Sequence, residues 1–202
     1  MPSPAQTRKN LLFVARNHLA ERGYHGTSLA AVSGELGLTK QALLHHFKSK
    51  DLLYAAVLEQ LGAELLELLF ASLEASELAE DQLAGFFAAL TRQGLAQPAD
   101  LSLVLRDLMD FQGRGPDSGQ DSWPLQNVFE PLIALIQATP RWQGAGFAEA
   151  LSVASQMLAA ICLFPSAQGA LASRFGQAAV DQVRTTFLVQ TQDLVRERLT
   201  RD

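Results

Sequence analysis

Residues 29–50 read LAAVSGELGLTKQALLHHFKSK, two short apolar-periodic runs on either side of a glycine-containing turn. In the first, Leu29, Val32 and Leu36 recur at helical spacing until Gly37, and Thr27 or Ser28 can cap the run by accepting an orphan amide of its first turn. In the second, Thr39 can cap KQALLHHF, which contains neither Gly nor Pro. Successive helical residues turn by about 100°, which places Lys40, Gln41, Leu44, His45 and Lys48 on one side and Ala42, Leu43, His46 and Phe47 on the other. A two-turn helix is marginal in water, so the apolar side must anchor it to a scaffold and leave the polar side free to read something. Two short helices joined by a tight turn form a helix-turn-helix, whose second helix enters a DNA major groove.

The polar side suits that task. The Gln41 amide donates and accepts in one plane and can bridge adenine N6 and N7, while Lys40 can reach guanine O6 or N7, or a phosphate. His45 can donate to phosphate, and Thr27, Ser28 and Lys50 stand where the DNA backbone passes. Thr39, Leu44 and Lys48 complete the candidate contact set. His45 and His46 do not form a metal site, since adjacent helical residues face apart and no Cys or carboxylate stands at ligand spacing. Neither metal nor cofactor is expected.

Working outward, residues 7–22 place Leu11, Leu12, Ala15 and Leu19 on one stripe that Gly23 closes. Ser49 can cap a longer helix over residues 51–76, with Asp51 favourably placed in its first turn. Further helices are expected over 78–96, 101–112, 124–138, 147–164 and 177–200, separated by Gln97-Pro98, by GRGPDSGQDS and by TPRWQGAG. The fold class is all-α, about nine helices: a three-helix head over 1–50 and a larger helical body over 51–202.

Charge divides along the same line. Of 202 residues, the first 50 hold seven Lys and Arg against two Glu, a net of +5, whereas the rest hold nine Arg and no Lys against nineteen acidic residues, a net of −10. That asymmetry fits a basic head meeting a polyanion and an acidic body that does not. The single Cys162 lies among apolar neighbours in AAICLF and reads as a buried thiol in a reducing compartment. The amino terminus lacks a signal-peptide pattern, and Pro165 with several Ser and Gln breaks the apolar run 150–173, so a cytoplasmic protein with no membrane span is expected. No phosphate loop, nucleophile elbow, Cys-His pair or zinc spacing proposes an enzyme.

Taken together, Leu11, Leu12, Ala15, Leu19, Gly23-Tyr24, Thr27-Ser28, Val32, Gly37-Leu38-Thr39-Lys40, Ala42-Leu43, His46-Phe47 and Ser49-Lys50-Asp51 resemble the amino-terminal pattern of tetracycline-repressor-type (TetR) transcriptional regulators. The resemblance covers residues 7–57. It implies a three-helix DNA-binding head, a linking fourth helix, a helical regulatory body and a homodimer on a near-palindromic double-stranded operator. Two positions depart from the pattern: Gln41 stands where the family often has Gly, and Leu44 where it usually has Tyr, so the family's tyrosine contact to phosphate does not carry over.

In the body, an effector cavity is expected among the fourth to eighth helices. Phe87, Met109, Trp123 and Met157, with Phe86, Leu105, Phe111 and Phe129, would supply apolar lining, and Arg106 or Gln126 would orient a polar group. The last two helices, through Leu151, Ser155, Leu158, Val183, Phe187 and Leu194, are expected to form a four-helix dimer interface with their symmetry mates. The function implied is a repressor released from its operator by a small apolar or aromatic effector. The alternative is an architectural or cell-division DNA-binding protein of the same fold without one.

Overall fold

The computed structural model describes residues 3–109 and 123–200. Phe111 and the GRGPDSGQDS segment fall outside the described residues, as does the end of the helix expected over 101–112. The described residues form α1 (Pro4–Gly26), α2 (Leu29–Glu35), α3 (Lys40–Phe47), α4 (Lys50–Ala75), α5 (Ala79–Ala96), α6 (Pro98–Met109), α7 (Gln126–Gln137), α8 (Phe147–Phe175) and α9 (Gln177–Thr200).

Four helix starts are set by hydroxyl caps. Ser3, Ser28, Thr39 and Ser49 each accept from the amide three residues on, at 3.1–3.2 Å, so Ser28 rather than Thr27 is the cap of α2. Between α2 and α3, Leu38 N–H donates to Ser33 O at 2.9 Å and Gly37 N–H to Gly34 O at 3.0 Å, the Schellman arrangement. Its left-handed residue is Gly37 at φ 66°, where a Cβ would be strained.

Three boundaries differ from the sequence reading. Gly23 (φ 69°, ψ 178°) interrupts α1 rather than ending it, in a region of backbone space nearly exclusive to glycine, and one offset turn follows. Pro98 opens α6 instead of breaking the chain, because a first-turn proline lacks only an amide that would be unbonded anyway. Pro165 lies inside α8, which runs eleven residues past the expected end at Phe164. The buried side chains of Phe164 and Pro165 show that packing at this point outweighs the lost helical bond. Uninterrupted, α8 is long and apolar enough to cross a membrane by length and composition alone. Here it packs against α5, α6, α7 and α9, with Ala150, Val153, Ala154, Met157, Ile161 and Cys162 in the core.

One buried cluster runs from Leu11, Val32, Leu43 and Phe47 in the head, through Leu53, Val57 and Leu61 of α4, to Phe86, Leu101, Ile133 and Ile161 in the body. The head is therefore seated on the body through α1 and α4. Polar groups reinforce the seat: buried Arg16 of α1 reaches Glu64 of α4 and Asp100 of α6, and Tyr54 of α4 donates to Asp107 of α6 at 2.6 Å.

Candidate nucleic-acid interface

α3 turns the side expected outward toward solvent. Lys40, Gln41, His45 and Lys48 are exposed, while Leu43 and Phe47 are buried in the core that they share with Leu11 of α1 and Val32 of α2. Leu44 is half-buried, at the edge of that face. The Arg8 guanidinium from α1 lies 4.9 Å from the Phe47 ring centre, bringing a further cation beside α3 that the sequence reading did not single out. His46 is half-buried and tilted against Phe47.

Lys48 is placed by unusual backbone. Its φ of 60° and ψ of −41°, with Ser49 N–H donating to Phe47 O at 2.6 Å, make a γ-turn that reverses the chain from α3 into α4. Ser28 and Thr39 are exposed, and each hydroxyl accepts an amide while keeping its own proton to donate.

Two of the backbone candidates sit differently from expectation. Thr27 is 3 % exposed, and its hydroxyl is shared between His18 O at 3.0 Å and Gly23 O at 2.9 Å, so it closes the kink of α1 and is withdrawn from the outer face. Lys50 is half-buried, its ammonium 4.3 Å from the Tyr24 ring centre. Burial lowers its pKa, opposed by the neighbouring Asp51 carboxylate, and Asp51 also accepts from the Tyr24 hydroxyl. His18, which has no role in the sequence reading, is buried with Nε2 2.7 Å from Glu35 Oε2, tying α1 to α2.

The signature of bacterial regulatory proteins of the tetR family matches residues 11–57. Over 54 residues the chain is 39% identical to the HTH-type transcriptional regulator RutR of Escherichia coli, an alignment covering 27% of this chain and 26% of that one. The match thus spans about a quarter of the curated relative's length. Similarity of fold extends much further. A TetR-family transcriptional regulator from Pectobacterium atrosepticum shares 29% identity with a TM-score of 0.55, covering 99% of both chains. A TetR regulator from Legionella pneumophila shares 20% with a TM-score of 0.66, covering 98% of this chain and 99% of its own. Residues 11–57 carry the tetR-family signature, and the chain as a whole shares the fold of these regulators.

In the body, the expected effector residues do not converge. An enclosed apolar space of about 20 Å³ lies between α4, α5, α6, α7 and α8, bordered by Leu65, Phe86, Leu101, Phe129, Leu158 and Cys162 among others. Small-molecule pockets are typically about 300–1,000 Å³, so these helices are closed on one another in this conformation. Burial pushes the Cys162 thiol up to about 12. Phe87 is buried beside Phe86, and Met157 is buried below a separate cleft with Arg141 and Leu194. Met109 is 78% exposed and cannot line an interior. Exposed Gln126 donates to Glu130 one turn on, so its amide is spent along the surface of α7. Trp123 packs on Phe129 and donates Nε1–H to Asp107 at 2.6 Å. Arg106 is turned away from the cavity altogether: Nε donates to Ala20 O at 2.7 Å and Nη2 to Glu21 O at 3.0 Å, holding α6 to α1.

The expected interface residues of α8 and α9 divide. Ser155, Val183 and Leu194 are exposed and Leu151 half-buried, with exposed Leu163 and Val189 on the same two helices. Leu158 and Phe187 are not on that face. Leu158 borders the internal cavity, and Phe187 stacks on Phe164 at 4.7 Å in a small cluster with Val180.

Proposed function

We propose that the protein is a cytoplasmic, homodimeric transcriptional repressor that binds a near-palindromic DNA operator and is released by a small apolar or aromatic molecule. The observation that carries this reading is the division of α3: Leu43 and Phe47 are sealed against the scaffold while Lys40, Gln41, His45 and Lys48 face solvent, on a head whose net charge is opposite to the body's. Gln41 and Lys40 read bases, and Ser28, Thr39, His45 and Lys48 hold phosphates, with Arg8 adding charge at the rim. Leu44, at the edge of the face, packs on a thymine methyl.

The uncharged, exposed stripe of α8 and α9, with Ser155, Leu163, Val183 and Leu194, supports a dimer, which is what two half-sites require. The apolar lining of the internal cavity supports an effector without charge. α6 borders the cavity through Leu101 and Val104 and also carries Asp100 and Arg106, which hold α1. An effector that favours an arrangement with α6 parted from α1 weakens DNA binding by its differential affinity, commonly about 1–3 kcal/mol.

The test is selection of genomic fragments by the purified protein at low ionic strength, followed by footprinting. A few promoter sites with two half-sites support the reading. Absence of selected fragments, or many dispersed sites without dyad symmetry, refutes it.

A further inference from the structure

A second opening lies on the outside of the body, at its junction with the head. Ala20 of α1, just before the Gly23 kink, Ser102, Leu105, Arg106 and Met109 of α6, and Ser166 of α8 border an open cleft of about 260 Å³. It is separate from the apolar cavity, with which it shares no lining residue.

Two features of its lining are chemically unfinished. Among the described residues, the Arg106 guanidinium is met only by main-chain carbonyls, Ala20 O and Glu21 O, and forms no ion pair. The Ser166 hydroxyl oxygen is buried and has no hydrogen-bond partner among the described residues, although a buried polar atom left unpaired costs about 1–3 kcal/mol. None of the described lining residues is acidic, and Leu105, Met109 and Ala20 give the cleft an apolar wall. A cation without a counter-ion, an unsatisfied hydroxyl and an apolar wall together suit a carboxylate carried on a compact apolar body. The volume suits one of benzoate size, since a closed cavity of about 150 Å³ already admits benzene.

We propose that this cleft binds small aromatic or branched carboxylates, with Arg106 and Ser166 as donors to the carboxylate. A carboxylate brings a full opposite charge, which the Ala20 and Glu21 carbonyls lack, and can take two guanidinium N–H groups in parallel, so the ligand draws Arg106 from them and loosens α6 from α1. This is a site for anions at the head–body junction, distinct from the one proposed for an uncharged effector.

Isothermal titration calorimetry of the full chain with benzoate, and with benzamide as the neutral analogue, tests it. One saturable site per chain is expected for benzoate, with a Kd of about 1 mM or tighter, and at least roughly tenfold weaker binding of benzamide. Arg106→Ala abolishes binding, and Arg106→Lys, which keeps the charge, retains it in weakened form. Ser166→Ala weakens binding several-fold without lowering the unfolding midpoint, because the hydroxyl has no partner to lose. Hydrogen exchange at residues 20–26 quickens when benzoate is bound. Equal binding of benzoate and benzamide, undiminished binding by Ser166→Ala or Arg106→Ala, unchanged exchange in α1, or no binding by the folded wild-type chain at millimolar benzoate overturns the proposal.

Discussion

Arg16 Nε lies 2.8 Å from Asp100 Oδ1, an approach between two buried side chains that joins α1 of the head to α6 of the body. The Nε–H is not aligned along this approach, so the contact acts mainly through charge, while Nη1 makes the directed bond to Glu64 at 2.7 Å. The other Asp100 oxygen accepts from Gln93 at 2.8 Å. Asp100→Ala leaves Arg16 buried with one partner instead of two. The expected loss of stability is about 3 kcal/mol, the lower end of the range for breaking a buried pair because Glu64 remains. Urea unfolding of the two chains measures it, and Arg16→Met combined with Asp100→Leu should recover much of the loss.

Thr27 and Ser28 are neighbours with different duties. Thr27→Val removes a buried hydroxyl and deprives His18 O and Gly23 O of their donor, so unfolding free energy should fall by about 1–3 kcal/mol. The slope of DNA affinity against salt should not change. Ser28→Ala should cost about 1 kcal/mol as a lost cap and also weaken DNA binding on every sequence alike.

Lys48 combines a strained backbone with an exposed charge. Lys48→Gly removes strain at φ 60°, worth about 1–3 kcal/mol, and is expected to leave stability unchanged or raised by thermal unfolding. The same variant loses one phosphate contact, so the logarithmic salt slope should fall by about one. Lower stability in Lys48→Gly would show that the side chain, not the turn, is what the fold needs.

Cys162 gives the interior a pH signature. Its thiol is raised by burial from the ordinary 9.0 to about 12. The unfolded chain therefore releases this proton first: the contribution to stability is intact below about pH 9 and is lost as pH rises toward 12. Alkylation by iodoacetamide at pH 9 should be slow in the native chain and rapid in urea. Rapid native alkylation would mean that the cavity beside Cys162 opens readily.

The head was legible because local chemistry decides it. The Gly37 turn, the Ser and Thr caps and the two-sided pattern of α3 are all short-range, and a helix of eight residues leaves few ways to distribute Leu43 and Phe47. Thr27 was misplaced because either hydroxyl of Thr27-Ser28 can cap, and only the Gly23 kink shows which one is drawn inward. In the body, periodicity located the helices but not their partners. Arg106, Met109 and Gln126 were read as facing a cavity because they neighbour apolar residues, yet their directions depend on where α1 and α7 come to rest. Arg16 did leave a signal, a cation within the apolar stripe of Leu12, Ala15 and Leu19, of the kind that marks a buried ion pair.

Operator binding by variants of α3 tests the assignment of its outer face most directly. With an operator recovered from genomic selection, Gln41→Ala should lose discrimination worth about 1–3 kcal/mol at one base position of each half-site and leave the salt slope unchanged, while Lys40→Ala and His45→Ala weaken the cognate complex. If all three variants bind the cognate and every single-base operator variant as the parent does, at equal fold stability, α3 does not enter the groove and the polar face has some other use.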